Sequence, residues 1–180
     1  YFSSEKKITT IENKIKFNVE LLGANVFSLE GYGVEKYNED KLISYNSETL
    51  QNNKKKFVNL YYDLNIDKFV IKGSSYEGNT SPSSIIGNWW NHKLLQADRQ
   101  ISPISGSIKE QLVIFIKKEK IELYGKTYAV DHFKLISKNK NIPKKKRLNF
   151  DIWYDKKNAM ILKVSYSRMG NWEYRVKNFK

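Results

Sequence analysis

The sequence predicts an all-β chain: one strongly curved antiparallel meander of about ten strands with a short helical plug near residues 80–107. Three observations point there. Apolar residues recur with period two along most of the chain, short clusters rich in Gly, Asn and Lys interrupt them at hairpin spacing, and a single stretch breaks the rhythm.

Taken in order, "IENKIKFNVEL" puts Ile11, Ile15, Phe17, Val19 and Leu21 on one face and Lys14, Lys16, Asn18 and Glu20 on the other, the pattern of a half-buried antiparallel strand. "NVFSLEGYGVEKY" follows Gly23, and Gly31 and Gly33 mark an expected bend or bulge. "LISYNSETL", "KFVNLYYDL" and "KFVIKGSS" come next, separated by turn-forming residues. The second half continues with "EQLVIFIKKEKIEL", "KTYAVDHFKLISK", "RLNFDIWYD", "MILKVSYSR" and "NWEYRVKNF". Between the halves, residues 80–107 carry all but one of the prolines and read as a short helix framed by loops, with Ser84 as its cap. A long meander curls, and its open face needs a cover; the 80–107 segment is the element available to plug it.

A chain of 180 residues is long enough to bury one core without covalent staples, so residues 1–180 are read as one domain. The opening "YFSSEKKITT" lacks the apolar core of a signal peptide and reads as a strand already under way, so the first edge strand is expected to be truncated. No apolar run approaches the roughly 18 residues of a spanning helix. With no cysteine, disulfides, thiolate metal sites and a cysteine nucleophile are excluded. The net charge of +13 favours anionic partners: a phospholipid or lipopolysaccharide surface, nucleic acid or an acidic protein. The richness in Lys, Asn and Ile is equally the mark of AT-rich codon usage.

Motifs for chemistry are sparse. His92 and His132 lack metal-ligand spacing, and no nucleophile elbow, Walker loop or dinucleotide turn occurs, so neither metal nor cofactor is expected. His132 alternates with Val130 and Lys134 and reads as a partly exposed strand residue. The best polar cluster is Asn91, His92, Asp98 and Arg99; an imidazole near a carboxylate suits acid–base work, and the same residues suit capping and orienting the plug. Lys144, Lys145, Lys146 and Arg147 form a cationic hairpin tip suited to an anionic surface. Nucleic acid is disfavoured, because the aromatics alternate at core spacing rather than interleaving with the basic residues. Trp89 and Trp90 cannot both face inward on a regular element. Trp90 is expected to pack and Trp89 to gate a groove, with Ile86, Asn91 and Leu94 completing the lid.

Three blocks carry a resemblance: "LNFDIWYDKKNAMILKVSYSRMGNWEYRV", "GYGVEKYNEDKLISYNSET" and "GNWWNHKLLQADRQISPISGSI". Together they resemble a proteobacterial family of uncharacterised secreted domains. At fold level that family is similar to the lipoprotein-carrier superfamily (LolA/LolB-like), which has the violacein-pathway protein VioE as an enzymatic relative. The resemblance implies a half-barrel whose concave apolar face accepts an acyl chain or a flat hydrophobic molecule, in the periplasm or at the bacterial envelope. The expectation is therefore a non-enzymatic binder of a hydrophobic or lipid-like ligand. The alternatives are a small cofactor-independent enzyme of the VioE type and an interaction protein docking through its basic face or a free sheet edge.

Overall fold

The computed structural model describes residues 8–167 and 171–177, without the side chains of Leu21, Asn25, Lys145, Ser167, Asn171 and Trp172. Met169 and Gly170, the expected last hairpin turn, lie outside the described residues. The class is as expected: an antiparallel meander almost without helix. A first ladder holds β1 (Ile8–Leu21), β2 (Ala24–Asn38), β3 (Lys41–Gln51), β4 (Lys54–Asp63), β5 (Lys68–Gly73) and β6 (Tyr76–Thr80), in chain order. The second holds β7 (Ile85–Ile86), β8 (Arg99–Ile101), β9 (Ile108–Leu123), β10 (Lys126–Ser137), β11 (Asn149–Asp155), β12 (Met160–Ser167) and β13 (Asn171–Arg175), also in chain order.

The meander is thus two ladders rather than one continuous sheet. Pairing stops at Thr80 because Ser84 N–H turns back to the Ser81 carbonyl at 3.0 Å, and Pro82 between them has no N–H for a ladder. By contacts the chain forms two compact units. One gathers the chain up to Ser84 with Ile101–Ile108; the other gathers Ile85–Gln100 with the chain from Lys109 onward.

In the first unit, cross-strand registers place Tyr45, Val58, Leu60, Phe69 and Ile71 on one buried face. Buried polar groups share that face. Tyr45 and Ser47 hydroxyls donate to the Pro103 carbonyl at 2.9 and 2.7 Å, which ties the 101–108 segment to the ladder. Glu35, only 1% exposed, accepts from Asn13 Nδ2 at 3.0 Å and from the Tyr37 hydroxyl at 2.6 Å. The expected bulge at Gly31 and Gly33 is elsewhere: register shifts fall at Val19/Glu20 and Lys36/Tyr37. The glycines admit neighbours instead, since a Cβ at Gly33 would stand 2.9 Å from the Tyr45 hydroxyl and one at Gly31 2.8 Å from Thr49. The inward row expected for β1 is also only partly buried, with Ile15 49% and Phe17 38% exposed. Phe17 faces Leu29, where the β2–β3 pairing ends, and meets the Phe27 ring edge-on at 6.0 Å, so this end of the row is only partly covered.

The second unit has an ordinary core. Leu94, Leu135, Leu148, Ile152, Ile161 and Val164 are buried together, with Trp89, Val113, Phe133 and Phe150 packed against them. The expected helix is a five-residue 3-10 turn, His92–Gln96, capped by Asn91 rather than Ser84. The Asn91 side-chain oxygen accepts from Lys93 N–H at 3.1 Å, while the Ser84 hydroxyl bonds Thr80 at 2.9 Å. Gln111, unremarkable in sequence, locks this turn to β9: its amide donates to the Leu94 and Ala97 carbonyls, both at 2.8 Å, and accepts from Gln100 at 2.6 Å.

Candidate functional site

The open face of the first ladder carries a recess of about 1060 Å³ lined by residues of β1 to β4. Three cross-strand rows build it. Lys14, Tyr32, Glu48 and Phe57 stand side by side; Lys16, Glu30, Leu50 and Lys55 form the next row, and Val34, Asn46 and Asn59 another. Apolar side chains stay in water here: Tyr32 is 43% exposed, Leu50 41% and Phe57 38%. They are out of phase with their own strands, because neighbours Ser47, Thr49 and Val58 point to the buried face. The Lys14 ammonium lies 5.8 Å from the Tyr32 ring centroid, and desolvation followed by the Glu12 carboxylate holds the Tyr32 phenol above its ordinary value. On the opposite face, burial pushes Tyr45 up to about 12, against the Ser47 hydrogen bond and with help from Glu35. The arrangement offers apolar contact area among lysines, with Glu30 and Glu48 beside them.

A second constellation lies on the second ladder, on the face opposite the Leu94 cluster and beside a second buried cluster of Leu123, Val130 and Leu162, against which Trp153 packs. His132 is stacked on Trp153 at 4.6 Å, its side chain 14% exposed. Its Nε2 is 3.0 Å from Asp151 Oδ1. Its Nδ1 is 3.1 Å from Glu119 Oε1 but off the hydrogen-bond direction, so that buried nitrogen makes no hydrogen bond. Glu119 also accepts from Trp153 Nε1 at 2.7 Å and pairs with Lys117 at 2.9 Å, and Lys134 pairs with Asp151 at 2.7 Å. Lys163 lies 4.4 Å over the Trp153 ring and pairs with Glu173 at 2.8 Å, which Arg175 also holds. Hydrogen bonds from Lys117 and Trp153 outweigh desolvation and hold Glu119 below the usual carboxylate range. Burial pushes Asp151 up, but Lys134 and His132 together bring it below its ordinary value, and Lys163 and Arg175 do the same for Glu173. Every carboxylate oxygen of the three has a partner, so the network fastens neighbouring strands together. Among the described residues no group of three or more His, Asp or Glu is arranged to hold a metal ion.

The residues singled out from sequence are dispersed. Leu94 and Ile86 are fully buried, and Asn91 is spent on its cap. Of the two tryptophans it is Trp89, not Trp90, that packs, edge-on against Phe150 at 4.9 Å, whereas Trp90 is 40% exposed. His92 stacks on Tyr154 at 5.7 Å, and Arg99 meets Glu110 at 3.4 Å rather than Asp98, so the four residues do not converge on one point. In the basic tip, Lys144 and Lys146 are exposed. Arg147 is not: its guanidinium donates to the Ile142 carbonyl at 2.9 Å and to that of Lys140, folding back on its own loop. The Lys145 side chain lies outside what is described.

Missed from sequence were the recess residues and the His132 network. The available signals were Tyr32, Leu50 and Phe57 on the wrong parity, and a run of charged residues sharing one parity on neighbouring strands. A family model described as "Domain of unknown function (DUF6134)" matches residues 2–177. No curated protein and no solved structure matches the chain.

Proposed function

The chain belongs to the DUF6134 family of domains of unknown function, and from its own side chains we propose that it binds an anionic amphiphile, lipid-like in character, without catalysing a reaction. One observation carries this reading: Tyr32, Val34, Leu50 and Phe57 stand in an open recess bordered by Lys14, Lys16, Lys55 and Lys56. Apolar side chains left in water gain about 25 cal/mol for each Å² that a ligand covers. Lysines beside them select a negatively charged head group. The sequence blocks resemble a secreted family that is similar at fold level to lipoprotein-carrier half-barrels, which supports the same ligand class and the bacterial envelope as its place. The net charge of +13 suits an anionic membrane surface.

Binding of a fluorescent fatty acid tests the reading. Phe57→Ser and Leu50→Ser should each weaken it about tenfold while the melting temperature holds, since about 1.4 kcal/mol of apolar contact is lost. Lys55→Glu should weaken the fatty acid more than its uncharged alcohol. Binding unaltered by all three substitutions would move the ligand elsewhere.

A further inference from the structure

We propose that the outer edge of β1 is a self-association surface, on which a second copy of this chain pairs antiparallel about Phe17. β1 is the terminal strand of its ladder, runs for 14 residues and has no strand partner on its outer side among the described residues. It contains no proline, and its register with β2 shifts only at Val19/Glu20, so most of the edge is straight and competent to pair. Ile15 and Phe17 are 49% and 38% exposed.

Charge selects the occupant and the register. The charged residues of β1 are Glu12, Lys14, Lys16 and Glu20. Self-pairing about Lys14 or about Lys16 opposes each of those lysines to its own copy, and pairing about Ile15 sets Lys14 against Lys16. Directly opposed like charges destabilise a sheet. Pairing about Phe17 removes every such clash. Lys14 then faces Glu20 of the second copy, and symmetry makes that pair twice. Lys16 faces Asn18, Ile15 faces Val19, and the two Phe17 rings meet. Pairing about Asn13 or about Asn18 also matches charges, Glu12 with Lys14 or Lys16 with Glu20, but each sets an amide against itself and Phe17 against Thr9 or Val19, whereas pairing about Phe17 brings the two rings together. Lysines that would guard the edge against other strands therefore act as a register filter for this one. Lys14, Ile15 and Lys16 also line the recess, so the second copy would extend its wall. The pairing itself needs no ligand.

The chain has no cysteine, which makes cross-linking clean. Facing residues in an antiparallel pair have Cα atoms about 4.5–5.5 Å apart, within the span of a disulfide. Phe17→Cys should give a disulfide-linked dimer on mild oxidation. Asn13→Cys, and Tyr61→Cys on exposed β4, should not. By sedimentation velocity, Lys14→Glu should raise the dimer dissociation constant about tenfold, and Lys14→Glu combined with Glu20→Lys should restore it. Circular dichroism checks that each variant folds; should Phe17→Cys unfold, the charge exchange alone decides. A monomer at every concentration, cross-linking through Asn13→Cys instead, or no recovery in the double exchange would overturn the proposal. Each readout is taken without fatty acid, so its failure leaves the recess reading untouched.

Discussion

In the second unit Leu94, Leu135, Ile152 and Val164 are buried, and the charged residues on the opposite face neutralise one another. In the first, Glu35, Ser47 and Thr49 are buried while Tyr32, Leu50 and Phe57 face water. Both are antiparallel ladders with period two, and they differ in phase. The second unit also leaves Leu112, Ile114, Phe115 and Ile116 of β9 exposed, whereas the exposed apolar residues Tyr32, Leu50 and Phe57 of the first line a recess. Hydrogen bonds inside the first unit offset the inversion, from Asn13 and Tyr37 to Glu35 and from Tyr45 and Ser47 to Pro103. On the proposed function, the recess makes the first ladder the binding one.

The sharpest way to break that contrast is to truncate one leucine in each ladder. Leu94→Ala should cost about 2–5 kcal/mol in urea unfolding, and Leu50→Ala no more than about 0.5 kcal/mol. Similar losses would mean that Leu50 is core after all. The tryptophan pair gives the next largest effect. Trp89→Ala should cost about 2 kcal/mol more than Trp90→Ala, because only Trp89 packs on the Leu94 core; equal melting temperatures would contradict that packing.

Acid should act on the charge network. Glu119, Asp151 and Glu173 have folded values below their ordinary ones of 4.5, 3.8 and 4.5. The stability they contribute is present above that range and lost as pH falls through the lowered values. Urea midpoints should drop between pH 7 and pH 3, and Asp151→Asn, less stable at pH 7, should drop by less. An identical drop in the variant would remove Asp151 from the effect. The smallest change is expected at the basic tip. Replacing Lys144 and Lys146 with Gln should shift stability by under about 0.5 kcal/mol, whereas Arg147→Ala should cost about 1 kcal/mol through its two carbonyl partners. Thermal melts distinguish the two.

Fold class was legible because alternation and turn residues are local signals. The position of "IENKIKFNVEL" in a strand follows from period two alone. The division at Ser81–Ser84 was not legible, since a proline stretch reads equally as loop or as helix start until the Ser84 to Ser81 bond is seen. Of the candidate site, Leu94 and Ile86 were identified as important by their apolar character, but not the core they join. Phe57 was hidden by Val58 and Leu60, whose stronger signal sets the strand's phase. His132 was hidden for a different reason. Its meaning depends on Glu119 and Asp151, which only strand pairing brings to it.

The tryptophans carry a consequence of another kind. All four, at positions 89, 90, 153 and 172, belong to the second unit, while the recess is lined by Tyr32 and Phe57 of the first. Selective excitation of indole therefore reports on one unit alone. A ligand in the recess that changed tyrosine emission and left the indole spectrum still would be located optically, with no label and no mutation. Indole and amide signals recorded along one melting curve would also tell whether the two units come apart together or in turn.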